Sequence, residues 1–264
     1  MIPLEVYSSS YVKSKSTNKK VIVLDLDETI GSFRELYILW TIDKTQKRFN
    51  DLLDLYPEFL RYGILNIVDY LKHKKKSGNC FRTYIYTNNI LSKQWVKMII
   101  DYIEHKQSAI GLFDKIIHGY NKSIDCLRTT KNKTHSDFIR CSVLPRSTEI
   151  CYIDDTYFNK MECPTVYYIQ PKPYHHSMKT SDIVDRYSNS NFVQSENRND
   201  VRASLYHIFI ENTTGKSDPD VDVDILVSQK IMYHIREFFM RSVRKHKTRK
   251  IQYNSAGRFT RKKL

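Results

Sequence analysis

Apolar residues along this chain come either in short unbroken runs or at three- to four-residue intervals, and the two patterns alternate. Val21-Ile22-Val23-Leu24 is an unbroken, mostly β-branched run. It predicts a strand buried on both faces, beginning near Lys20. Ile64, Ile67, Val68 and Leu71 recur at helical spacing and predict a helix from Arg61 or Gly63 to Lys75. Lysines crowd its C-terminal end, where the helix dipole favours them. Residues 82–86 predict a strand, and a helix presenting Trp95, Met98, Ile99, Tyr102 and Ile103 follows. Next come a short strand at 113–117, a polar basic loop at 121–133, and a short helix at 134–140 with Thr134 or Ser136 as N-cap. Residues 149–153 and 165–169 predict two more strands. Between 33 and 60 the pattern divides: Leu36, Leu39 and Trp40 share a helix face, while 37–42 reads equally as a hairpin strand.

Strands alternating with helices predict an α/β fold, a Rossmann-like parallel sheet of about five strands with right-handed crossovers and flanking helices. Residues 1–19 read as a loosely packed extension and 20–175 as the domain. Residues 176–224 read as a polar linker or long loop, 225–247 as an amphipathic basic helix and 248–264 as a basic tail.

Composition adds constraints. The 264 residues are 41% apolar, enough for a core. No apolar run approaches the ~18 residues of a membrane span, and the first residues lack a secretory-signal pattern. Five cysteines without C-x-x-C spacing suit reduced thiols in an intracellular protein, cytoplasmic or nuclear. The net charge of +14 is unevenly placed. Residues 228–264 hold twelve Lys/Arg and one acid, Glu237, which leaves 31 basic and 28 acidic residues before them. That appendage predicts nucleic acid, an anionic membrane or an acidic protein as partner.

The chemistry gathers at strand ends. Asp25 and Asp27 follow the first strand, Thr87-Asn88 the second, and Asp154-Asp155 the fourth. Ligands of open parallel sheets bind outside the carboxyl ends of strands. Buried unpaired carboxylates are costly, so a divalent cation or a reacting phosphate is expected there. Lys131 and Lys133 lie in the loop before the helix that feeds the fourth strand. Together these are the parts that phosphoryl transfer needs. Asp25 suits the nucleophile, and Asp27 the general acid and then base. Thr87 and Asn88 suit the phosphoryl oxygens, and Lys133, with Lys131 as rival, suits their charge. Mg²⁺ would take Asp25, the Asp27 carbonyl, and Asp154 or Asp155. His175-His176 read as surface residues, because adjacent histidines do not readily share one ion.

Asp25-Leu26-Asp27-Glu28-Thr29 resembles the D-x-D-x-T signature of the haloacid dehalogenase superfamily of phosphatases. It is most similar to the small C-terminal-domain phosphatases, also called NLI-interacting-factor-like, in which D-L-D-E-T is usual. Tyr86-Thr87-Asn88 resembles that family's second motif and Ile153-Asp154-Asp155-Thr156 its fourth. The resemblance spans roughly 20–175 and extends to the divergent versions carried by large DNA viruses. It implies a viral protein, found inside cells or in the virion. It also implies an aspartyl-phosphate intermediate, Mg²⁺, and phosphoserine or phosphothreonine in a phosphoprotein as substrate. Asp155 becomes the metal contact and Asp154 its support. The family's lysine lies closer to the acidic pair than Lys133, which is 21 positions before Asp154. Superfamily members acting on small metabolites usually carry a cap domain. The 62 positions from Asp25 to Thr87 and the 46 from Thr87 to Lys133 leave no room for a large one. The alternatives are a polynucleotide end phosphatase and a catalytically weak pseudo-phosphatase that binds nucleic acid or an acidic partner.

Overall fold

The computed structural model describes residues 4–8, 11, 19–42, 48–121, 127–212 and 220–240. Its centre is β2 (Lys20–Leu24), buried at every position. β3 (Arg82–Tyr86) and β5 (Glu149–Ile153) pair with β2 on either side in parallel, with Val21 opposite both Arg82 and Ile150. β4 (Lys115–Ile117) continues the sheet beyond β3, and β6 (Val166–Pro171) continues it beyond β5, both in parallel. Successive residues of β2 point to opposite faces. Ile22 and Leu24 enter one apolar cluster, and Val21 and Val23 enter a second on the other side.

Among the described residues the fold is α/β and Rossmann-like, but the sheet has six strands, with β1 (Leu4–Tyr7) at one edge, in the order β1-β6-β5-β2-β3-β4. The sixth, β1, lies in the predicted loose extension and pairs antiparallel with β6. Leu4 is buried there, so the Ser- and Lys-rich surroundings concealed an edge strand of four residues.

The stretch read as helix or hairpin strand is a helix: α1 (Arg34–Ile42) buries Leu36 and Leu39, and α2 (Phe49–Leu55) lies further along. α3 (Ile64–Lys76) starts after Gly63, whose φ of 71° lies in the left-handed region. α4 (Lys93–Lys106) leads to β4, and α5 (His135–Ser142) leads to β5, with Thr134 as its N-cap.

The predicted linker is corrected most. Among its described residues, α6 (Thr180–Ser188) and α7 (Arg198–Asn212) are helices. They bury Ile183, Val184, Tyr187, Leu205 and Phe209 in the larger core cluster. Tyr56 donates to the Ile183 carbonyl at 2.7 Å, and Arg186 Nη1 reaches both carboxylate oxygens of Glu58. α8 (Val221–Met240) begins before the expected residue 225, because Asp220 Oδ1 accepts from the Val223 amide at 3.1 Å. The expected continuation to 247 and the tail at 248–264 lie outside the described residues.

His176 is also corrected. It is buried, with Nε2 3.2 Å from Glu35 Oε2 and its ring against Phe59. Among the described residues, no helix is long and apolar enough to cross a membrane.

Candidate active site

Asp25, Thr87 and Asp154 each stand one residue past a strand, and the sheet's hydrogen bonding extends to reach them. The Asp25 amide donates to the Ile153 carbonyl at 2.9 Å, that of Thr87 to Ile117 at 3.0 Å, and that of Asp154 to Ile169 at 3.2 Å. The three side chains are therefore fixed by backbone pairing. After Asp27 the chain folds back sharply. Glu28 takes φ of 56°, and its amide donates to the Gly31 carbonyl at 2.8 Å. A side chain at Gly31 would collide with the Phe59 carbonyl oxygen and the Phe33 ring. Buried Arg61 clamps this loop: Nε donates to the Thr29 carbonyl at 2.6 Å, and Nη2 to those of Glu28 at 2.7 Å and Lys172 at 2.9 Å.

The residues line a pocket of about 250 Å³. At its floor Lys133 Nζ lies 2.5 Å from Asp25 Oδ1 and 2.6 Å from Asp154 Oδ2. Lys133 is only 1% exposed and Asp154 wholly buried. Asp154 also accepts from the Tyr152 hydroxyl and, at 2.9 Å, from the Thr156 amide. Asp155 is braced by Thr29, whose hydroxyl donates to Oδ1 at 2.8 Å and accepts from the Asp155 amide at 2.9 Å. Asp27 Oδ2 accepts from Asn89 Nδ2 at 3.0 Å. Thr87 does not cap the following helix. That is done by Ser92, which accepts from the Trp95 amide at 3.0 Å.

The structure thus brings together Asp25, Asp27, Thr87, Lys133, Asp154 and Asp155. Lys131 is exposed and contributes only its carbonyl, which accepts from Arg128 at 2.8 Å. Asn88 reaches the rim of the pocket, but its side-chain oxygen accepts from Arg128. The amide that reaches Asp27 belongs to Asn89, which the sequence reading passed over. It also passed over Arg128, which is buried and gathers the carbonyls of Thr87 and His118 at 2.7 and 2.8 Å. The only signals for these two were their neighbours, Thr87-Asn88 and the basic loop.

The electrostatics are lopsided. Burial pushes the Asp25 carboxyl well above the usual range, against the opposing pull of Lys133. Burial likewise raises Asp27, with Asn89 and Lys133 opposing, and raises Asp155, with Asp154 adding to the rise. Burial works against the Lys133 ammonium, but Asp154 and Asp25 outweigh it and hold its pKa above the ordinary value. Among the described residues, Asp25, Asp27, Glu28, Asp154 and Asp155 face one lysine, Lys133, in this pocket. Further positive charge would relieve them. Carboxylate oxygens of Asp25, Asp154 and Asp155 all lie within 4.8 Å of one another, so these three could hold a metal ion. The Asp27 carboxylate is outside that set. An all-oxygen donor set suits a hard cation.

Comparison with protein-family models, with curated proteins and with solved structures gives no match. The site's own chemistry must therefore identify it. A roomier cavity of about 590 Å³ lies between α3 and α8, but among the described residues no carboxylate lines it. The smaller acidic pocket holds a buried carboxylate–lysine–carboxylate bridge, with a third carboxyl group, that of Asp27, two residues after Asp25. Such a set can present a nucleophile, a proton donor and a cation to one anionic group.

Proposed function

We propose that this chain is a Mg²⁺-dependent phosphatase that works through an aspartyl-phosphate, acting on phosphoserine or phosphothreonine in proteins. The observation that carries the reading is Lys133 bridging Asp25 and Asp154 at the ends of adjacent strands, with Asp27 beside them. The Asp25 carboxylate attacks phosphorus, and the P–O bond to the leaving alkoxide breaks as Asp27 gives that oxygen its proton. Asp27, now a carboxylate, takes a proton from the water that attacks the aspartyl-phosphate. That attack releases phosphate and restores Asp25. The raised pKa of Asp27 suits a group that must begin protonated; burial raises Asp25 too, and there the Lys133 ammonium in direct contact opposes it and favours the carboxylate that attacks. Lys133 and the Thr87 hydroxyl hold the phosphoryl oxygens, and Asn89 keeps Asp27 in place. Asp25, Asp154 and Asp155 would hold Mg²⁺, which neutralises phosphoryl charge when bound. The resemblance to the haloacid dehalogenase phosphatases supports the same assignment.

The substrate class rests on shape. A groove of about 560 Å³ shares Asp27, Glu28 and Asn89 with the site and continues along Phe33, Tyr37, Ile38 and Trp95. An apolar, aromatic groove beside the reacting centre supports a peptide flanking the phosphorylated residue. Turnover of an aryl phosphate with and without Mg²⁺ tests the activity. We expect Mg²⁺-dependent turnover, lowered ~10³-fold or more in Asp25→Asn. An inactive wild type, or an Asp25→Asn variant as fast as wild type, would overturn the proposal. A phosphopeptide should then be hydrolysed faster than a 3′-phosphorylated oligonucleotide.

A further inference from the structure

The end of the sheet where the strands begin, opposite the acidic pocket, carries a band of cations laid over aromatic rings. Lys19 Nζ lies 3.9 Å from the centre of the Phe81 ring, and the Arg82 guanidinium lies 5.1 Å from the same ring. Lys74 sits 5.2 Å from Tyr70 and 5.6 Å from Phe239, and Arg236 sits 5.5 Å from Tyr70. The two groups form one surface. Buried Lys20 donates to the Phe238 carbonyl and lies 4.2 Å from the Phe238 ring, while its own carbonyl accepts from the Phe81 amide at 2.7 Å. The Cys80 amide donates to the Lys74 carbonyl at 3.0 Å. Lys19, Lys76, Arg82 and Arg236 are exposed.

The nearby acids are partly committed: Asp69 faces Lys72 at 3.7 Å and His73 at 3.4 Å, and Asp114 faces Lys75 at 2.7 Å. α8 delivers the chain to this surface at Met240. The 24 residues that follow in sequence contain ten Lys/Arg and no acid.

We propose that this basic band is a docking surface for nucleic acid, which holds the phosphatase on a polynucleotide while the pocket at the other end of the sheet stays free. Closely spaced cations match a polymer with a phosphate at every residue, and binding them releases its counterions. The flat guanidinium groups are already oriented by the rings beneath them, which lowers the ordering cost of each phosphate contact. A membrane surface would instead call for several exposed apolar side chains among the cations; here the Phe81, Tyr70 and Phe239 rings lie under the charges, and Met240 at the end of α8 is exposed beside them. The proposal stands independently of the catalytic reading, because binding is measured without turnover.

The test is fluorescence anisotropy of the full chain with a labelled single strand and a labelled duplex, between about 50 and 200 mM salt. We expect affinity to fall at least ~60-fold across that range, a slope of about 3 or more. In the full chain, replacing Lys74, Lys76, Arg82 and Arg236 together with serine should weaken binding ~10-fold or more. It should also flatten the slope of log affinity against log salt by about 3, roughly 0.7–0.9 per lost phosphate contact. Deleting 241–264 should weaken binding further. The single exposed changes Lys76→Ser and Arg236→Ser, each expected to weaken binding a few-fold, keep the test valid if the fourfold variant fails to fold. The strand and duplex arms distinguish the form of polymer. The proposal is overturned by no binding at ~50 mM salt, by unaltered binding in the serine variants, or by a polyglutamate peptide or phosphatidylserine vesicles outcompeting the oligonucleotide.

Discussion

At the carboxyl end of the sheet Lys133 is 1% exposed and held between Asp25 and Asp154, while at the amino end Lys76 and Arg236 stand in solvent. The same kind of charge does different work in the two places. In the pocket each ion is removed from water, so its energy depends on one or two partners at hydrogen-bond distance. On the basic band each ion is hydrated, and only the sum over many of them matters. Catalysis needs the first arrangement because its charges must be strong and fixed. Docking tolerates the second. A single substitution should therefore be severe at one end and mild at the other.

Lys133→Met is the largest expected break. It leaves Asp25 and Asp154 buried without their cation and should cost about 3 kcal/mol or more in urea unfolding without metal. On the proposed mechanism turnover should fall by at least ~10²-fold, because the phosphoryl charge would lose its lysine. Added Mg²⁺ should recover part of the stability but not the turnover. The counterpart Lys76→Met should change stability by no more than about 0.5 kcal/mol. Equal losses in the two variants would erase the contrast.

A titration sharpens the contrast within the acidic end. Burial, helped by Asp27 and Asp155, raises the Glu28 carboxyl from its ordinary 4.5 to about 7. Between those values the folded chain keeps a proton that the unfolded chain releases. Glu28 thus contributes stability that is full below about pH 4.5 and is lost as pH rises through about 7. Glu28→Gln removes this dependence. Between about pH 5 and pH 8 in chelator, wild type should lose roughly 1–2 kcal/mol more unfolding free energy than the variant, a figure reduced for partial solvent exposure. Identical pH profiles would show that Glu28 titrates normally.

The contrast also separates what the sequence disclosed from what it hid. β2, β3 and β5 were legible because strands buried on both faces read as unbroken apolar runs. Asp25, Thr87 and Asp154 were legible because they follow those runs directly. Spacing could not choose Lys133 over Lys131. The choice is made by the fold of the preceding loop, where Asp137 accepts from Thr129 and Thr130 and Arg128 holds the Lys131 carbonyl. Asn88 and Asn89 are identical in type, and Arg128 decides between them by taking Asn88. α6 was hidden because its few apolar residues lie among Ser and Asp, and packing against the core rather than propensity sustains such a helix, whereas α7 did carry a legible pattern, with Val201, Leu205, Ile208 and Phe209 at helical spacing inside a stretch otherwise rich in polar residues. His176 read as surface because its partner, Glu35, lies on α1, far away in sequence.

The smallest expected effect tests whether the acidic end depends on the placement of Lys133 as well as on its charge. Thr134 follows Lys133 directly and caps α5: its hydroxyl accepts from the Asp137 amide at 3.1 Å, and its own amide donates to the Tyr86 hydroxyl at 3.2 Å. Thr134→Ala loses the cap and should cost about 1 kcal/mol. Ser92→Ala removes a cap of the same kind from α4, where Ser92 Oγ accepts from the Trp95 amide at 3.0 Å, and should cost a similar amount. The two variants should part in turnover. Without its cap, the first turn of α5 no longer holds Lys133 against Asp25 and Asp154, so Thr134→Ala should lower kcat a few-fold while Ser92→Ala leaves it near wild type. Matched losses of stability with unequal losses of kcat would show that Thr134 acts by positioning the lysine. If kcat fell equally in both, stability alone would account for the effect.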